Sequence, residues 1–135
     1  MNWIVANIKW IMLASGGITC SMILAFVAPQ AGLQATFGAT IDGPIAQIVV
    51  RNWGALITMV GGMLIYGAFV PVHRGLILTV ASISKIIFIL LILIHGQAFV
   101  PVAMPALIFD SIAISLYVVY LASAQGKSAE PGAEK

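Results

Sequence analysis

The chain alternates long apolar runs with short breaks rich in glycine, proline and polar residues. A helix that crosses the hydrocarbon core of a bilayer needs about 20 predominantly apolar residues. Four runs reach that length, at 10–28, 45–70, 76–94 and 105–124. The breaks carry helix-ending chemistry. Residues 30–43 hold Gly32, Gly38, Asp42 and Gly43, and Pro44 then opens the second run, where a first-turn proline loses no hydrogen bond. Pro71-Val72-His73-Arg74-Gly75 is a tight polar turn, so the second and third helices are expected to be antiparallel neighbours. His95-Gly96-Gln97 closes the third run, and Pro101 and Pro105 bracket the entry to the fourth. The expected fold is all-α: a polytopic membrane protein, an antiparallel four-transmembrane-helix bundle over residues 1–124, followed by a polar, disordered tail at 125–135.

Composition agrees with this pattern. Of the 135 residues, 61% are hydrophobic and 7% charged, against about a quarter charged in an ordinary soluble domain. The apolar run after Lys9 resembles a signal peptide, but Phe26 and Pro29 spoil the small-residue cleavage pattern, so it reads as a retained first helix. With four spans, Lys9, Arg74, Lys127 and Lys135 fall on one side, and the positive-inside rule puts both termini in the cytoplasm. Trp3, Trp10 and Tyr120 suit the inner interface. A net charge of +2 with no basic stripe excludes nucleic acid as a partner. The single cysteine, Cys20, excludes an intrachain disulfide and a cysteine-rich metal cluster, and reads as a small packed hydrophobe. No internal repeat is visible.

Charge inside the spans is where chemistry would lie. Arg51, Lys85 and Asp110 each cost on the order of 3 kcal/mol near a helix centre on insertion scales. Counting about 1.5 Å per residue puts Arg51 about 9 Å and Asp110 about 8 Å below the outer helix starts, and Lys85 about 14 Å in from the cytoplasmic side. His95 stands at the outer end of the third helix. Two readings follow. Arg51, Lys85, His95 and Asp110 line an outward-facing polar pocket whose net positive charge favours an anionic or lipid-like ligand. Alternatively, Asp110 pairs with Arg51 or Lys85 and locks the bundle, with the other cation reaching a headgroup. Gly54, Thr58, Gly61 and Gly62 form a small-residue helix-packing face for a neighbouring helix of the same chain or of another subunit. Ser82, Ser111 and Ser115 read as packing hydroxyls.

Catalytic and metal signatures are missing. His73 and His95 lie at opposite faces and cannot share a metal or haem, and no HExxH pair, phosphate loop or nucleophile elbow occurs. No catalytic residue, metal site or cofactor is assigned.

Arg51-Asn52-Trp53-Gly54, then Gly61-Gly62, then Arg74 at the following turn, resembles the pattern of small DoxX-like bacterial membrane proteins, over residues 45–123. The resemblance implies a four-helix bundle in a bacterial inner membrane, and association with respiratory or redox partners in some relatives. It supplies no catalytic residues. The expected function is therefore a non-catalytic accessory or assembly subunit of a membrane complex, contacting lipid and either a protein partner or further copies of itself. The alternatives are a small oligomeric transporter or channel built on the polar pocket, and a lipid- or quinone-handling enzyme.

Overall fold

The computed structural model describes residues 2–128, and these are helical throughout apart from short connections, with no strand among them. The elements are α1 (Asn2–Cys20), α2 (Ile23–Val27), α3 (Pro29–Phe37), α4 (Pro44–Phe69), α5 (Arg74–His95) and α6 (Val100–Ser128), with 3₁₀ turns at Pro71–His73 and Gln97–Phe99. Four helical segments are long and apolar enough to cross a membrane: Trp3–Val27, Pro44–Phe69, Pro71–His95 and Gln97–Gln125. These are compatible with a multi-pass membrane protein. Their outward faces carry Ile48, Leu56, Met59, Ile87 and Leu91, all exposed, as a bilayer rather than water would require.

The first span differs from the run read at 10–28. It begins at Asn2 and is interrupted after Cys20. There the backbone shifts to tighter bonds, Ser21 N–H to Ile18 O at 3.1 Å and Met22 N–H to Thr19 O at 3.2 Å, before α2 resumes. Residues 30–43, read as a loop, contain most of α3. This helix has its proline in the first turn and Gly38 at its end in the left-handed conformation (φ 68°). Both are local stop-and-start chemistry. Gly32 lets α3 fold back onto α2: a Cβ there would lie 2.6 Å from the Ala25 Cα. The fourth helix starts at Val100, not 105, and takes Pro105 into its interior. It also continues to Ser128, so 125–128 are helical. The remainder of the expected tail lies outside the described residues.

α4 packs along α1 and α2, α5 along α6, and α1 also meets α6. The α1–α4 crossing depends on glycine. A Cβ on Gly16 would stand 2.8 Å from Gly61 O, and one on Gly61 would stand 2.7 Å from Cys20 Sγ and 2.8 Å from Gly16 O. Gly54 is pressed equally closely against Ala25 and Phe26. Thr58 turns its hydroxyl back to Gly54 O (2.7 Å) and offers its carbonyl to Cys20 Sγ. Gly62 is different: nothing lies within 4 Å of its Cβ position, so it is not part of this packing face. Helix rotation is the reason, since Gly61 and Gly62 point about 100° apart.

The core is divided. One cluster joins Ile8, Met12, Leu64, Leu78, Ala81, Ala113 and Tyr117, and another joins Ile92, Ala103 and Leu107. Arg74 ties off the end of α4, donating from Nε to Gly67 O (2.9 Å) and from Nη2 to Ala68 O (2.7 Å). These are carbonyls of the last helical turn, where a cation is favoured.

We expect Gly61→Leu to lower stability by roughly 1–3 kcal/mol through overpacking, while Gly62→Leu is neutral. Unfolding in mixed micelles by SDS titration measures both, and equal losses would show that the crossing does not depend on Gly61.

Candidate functional site

Lys85 and Asp110 meet. Each sits ten residues in from the same end of its helix, counting back from His95 on α5 and forward from Val100 on α6. The early start of α6 thus sinks Asp110 about 7 Å below the depth expected from a helix beginning at 105, to the level of Lys85. Lys85 lies on the stripe Leu78, Ala81, Lys85, Ile92, and Asp110 on the stripe Ala103, Leu107, Asp110, Ala113, Tyr117. Both residues therefore replace apolar core positions, between the two apolar clusters.

Lys85 Nζ donates to Asp110 Oδ1 at 2.5 Å, with the side chains 8% and 13% exposed. Such burial leaves the pair much less screened by salt than a surface pair. The Phe109 ring centroid lies 5.0 Å from the same ammonium, close enough for a cation–π contact. At 2.5 Å and an effective dielectric of about 20, the attraction is on the order of 6 kcal/mol. That matches the cost of inserting two charges at about 3 kcal/mol each. The pair is close to break-even, and either charge alone is a liability.

Arg51 and His95 do not join the pair. Arg51 is exposed, and its Nη1 donates to Phe26 O at 2.8 Å, capping the end of α2. His95 is exposed at the last position of α5. Of the two arrangements read from the sequence, the pairing of Asp110 with Lys85 is the one present, with Arg51 and His95 outside it. Hydropathy gives the depth of a residue and not the rotation of its helix, and rotation separates these side chains. His73 stacks on Tyr66, its Nδ1 lying 3.1 Å from the phenol oxygen.

Beside the pair is a cavity of about 360 Å³. Its walls are mostly apolar, with Met22 from the end of the broken turn, Ile57 and Val60 of α4, Phe88 of α5, and Ala106 and Phe109 of α6. Ala35 and Thr36 of α3 complete it. α3 is held there by Phe37, whose ring is 5.9 Å from that of Trp53 and 5.8 Å from that of Phe99. The interruption of the first span falls at this wall, since Thr19, Ser21 and Met22 all line it. Non-helical backbone at membrane depth is tolerated where it is buried in protein or faces a cavity.

Sequence reasoning did not identify Trp53, Thr36, Ser84 or Phe109 as site residues. Pro29 and Gly38, nine positions apart, were the signal for α3 and hence for Thr36. The others carry no signal beyond apolar or hydroxyl character. It also overlooked a polar contact below the pair, where the fully buried Tyr117 hydroxyl donates to Ser15 Oγ and Thr19 donates to Ser15 O at 2.7 Å. Ser82, on the buried face of α5, has a hydroxyl without a hydrogen-bond partner among the described residues. Ser111 and Ser115 bond back to carbonyls of their own helix. No cluster of three or more His, Cys, Asp or Glu side chains that could hold a metal occurs among the described residues.

No family model, curated protein or solved structure matches the chain.

Removing one member of the pair should be costly and removing both cheap. Lys85→Met is expected to lose about 3–5 kcal/mol, with Lys85→Met/Asp110→Leu returning to near the parent. Chemical unfolding of the three proteins in one detergent tests this. A double variant no better than the single one would mean that the two charges are not coupled.

Proposed function

We propose that this chain is a small membrane protein that binds a compact, largely apolar molecule inside its helical domain, in the manner of a carrier or channel. The observation supporting this reading is the cavity with Lys85 and Asp110 in its wall. A pair serving only to lock two helices would be as effective inside a closed core. Here it borders space large enough for a ligand, as sites of about 300 Å³ and upward are. Small-residue crossings at Gly16 and Gly61 keep α1 and α4 close, so the cavity is held between rigid walls. Four short helices give a thin pathway, so transport calls for assembly of several copies.

The helices belong to an antiparallel bundle with both termini in the cytoplasm. The supporting features are the even number of spans and the basic, aromatic character of the end carrying Lys9, Tyr66, His73 and Arg74. Lys9 Nζ lies 4.9 Å from the Phe69 ring centroid at that end. The DoxX-like resemblance remains part of the proposal, and with it a bacterial inner membrane. Its residues have concrete roles: Arg51 and Gly54 hold α4 to α2, Trp53 borders the cavity, and Arg74 caps α4. The competing reading is an accessory subunit of a membrane complex. Purification in mild detergent from native expression levels separates them, because a stoichiometric foreign protein favours the subunit.

Alkaline phosphatase fused after Gly43 or Gln97 should be active, and fused after Gly75 or Gln125 silent; the opposite pattern would reverse the orientation. For the site itself, Ala106→Phe should abolish binding of amphipathic probes followed through Trp53 fluorescence, with folding retained. Unchanged binding in that variant would remove the cavity as the site.

A further inference from the structure

The cavity wall offers hydrogen bonds of both kinds. The hydroxyls of Thr36 and Ser84, residues of the wall, make no hydrogen bond among the described residues, and a hydroxyl both donates and accepts. The ion pair adds an open group of each kind. The Lys85 ammonium has three N–H groups, and Asp110 Oδ1 is the one acceptor they meet among the described residues. The second Asp110 oxygen receives no hydrogen bond there. The side-chain atoms sealed in the packing without a partner belong to Gln30, Ser82 and Ser123. Asp110 is not among them, so its free oxygen opens on the cavity that the residue lines. A donor and an acceptor thus stand next to each other in the wall of a largely apolar chamber.

Charge then decides the class. The pair is neutral, so a single charge brought beside it is attracted to one member and repelled by the other. The two effects largely cancel, and the cost of taking that charge out of water is left without an offset. An anion and a cation are both disfavoured. An uncharged hydroxyl avoids this cost and matches both open groups, since its oxygen accepts and its proton donates. Both bonds have a charged partner, which makes them stronger than bonds between neutral groups. A hydrocarbon of the same size would leave both groups without a partner, which is costly away from water.

Resting on the reading of the cavity as a ligand site, we infer that its occupant is an uncharged amphiphile, a compact hydrocarbon body ending in a hydroxyl that bridges Lys85 and Asp110. The hydroxyl oxygen accepts an N–H of Lys85, and the O–H donates to the second oxygen of Asp110. The hydrocarbon body lies against Ile57, Val60, Phe88 and Ala106. Lys85 and Asp110 both keep their charge.

The full chain in nanodiscs is titrated calorimetrically with 3-phenylpropan-1-ol, its isomer 2-phenylethyl methyl ether, butylbenzene, 3-phenylpropanoate and 3-phenylpropylamine. These are close in size and differ in whether the polar end donates, accepts or carries a charge. Empty nanodiscs give the lipid-dissolved concentration to which each affinity is referred. The alcohol is expected to bind at least tenfold tighter than the ether, the hydrocarbon and both ions. Infrared difference spectra should show a carboxylate stretch that shifts when the alcohol binds and is absent in Asp110→Asn. An ether or hydrocarbon within tenfold of the alcohol overturns the bridge while leaving the cavity as a site. An anion or amine within tenfold of it overturns the uncharged class. A carboxylate shift that persists in Asp110→Asn puts the hydroxyl elsewhere and also overturns the bridge. Binding of none of the five overturns both the ligand class and the site. The ligand series uses the unaltered protein, so it does not depend on the variant folding.

Discussion

The Lys85–Asp110 ion pair fixes the arrangement of the second half of the chain. Two charges in a medium that strongly disfavours them have one inexpensive solution, which is to face each other at contact distance. That requirement sets the rotation of α5 and α6 and their relative height. Once they are set, Leu78 and Ala81 fall beside Ala113 and Tyr117 in one apolar cluster, and Ile92 beside Ala103 and Leu107 in another. The apolar contacts alone would tolerate a slip of either helix, because one aliphatic side chain packs much like another. An ion pair does not tolerate it.

The first half is organised by close approach. Gly16 against Gly61 and Gly54 against Ala25 bring α4 to within backbone distance of α1 and α2. In lipid there is no hydrophobic drive to bring helices together, so dispersion contacts at small residues supply the association. The two halves use different forces. The cavity lies where they meet, with the broken turn of the first span on one side and the ion pair on the other. α3, folded back onto α2, bridges the halves and lines the space by packing Phe37 against Trp53 and edge-on against Phe99. A site assembled from five elements is easier to alter than a continuous core, because each wall is supported by a different interaction.

The cations show how position decides the role of a charge. Arg51 and Arg74 each satisfy carbonyls at the end of a helix, so their charge is held by the backbone. Lys85 has no helix end within reach and is held by a carboxylate and a ring. Only the last arrangement leaves a charge that a ligand can compete for. A guanidinium bound to backbone carbonyls has no comparable second state. This is why the functional reading rests on Lys85, although Arg51 and Lys85 look alike as intramembrane cations in the sequence.

Apolar run length alone determined that the chain is helical with four segments fit to cross a membrane, because a helix satisfies its own backbone whatever surrounds it. The intramembrane charges were legible too, since their cost depends on depth and hydropathy reports depth. Glycine spacing marked the packing face of α4 but could not separate Gly61 from Gly62. Helix ends were less legible: Pro101 and Pro105 both looked like boundary residues, and of the two Pro101 stands in the first turn of α6 while Pro105 lies inside it. Only the tertiary structure decided that Lys85 faces Asp110 while Arg51 and His95 face elsewhere. Only it revealed that a helix from the apparent loop lines a cavity beside that pair. The physical reason is that rotation about a helix axis and the folding back of α3 are set by contacts between segments far apart in the chain, and no local pattern encodes them.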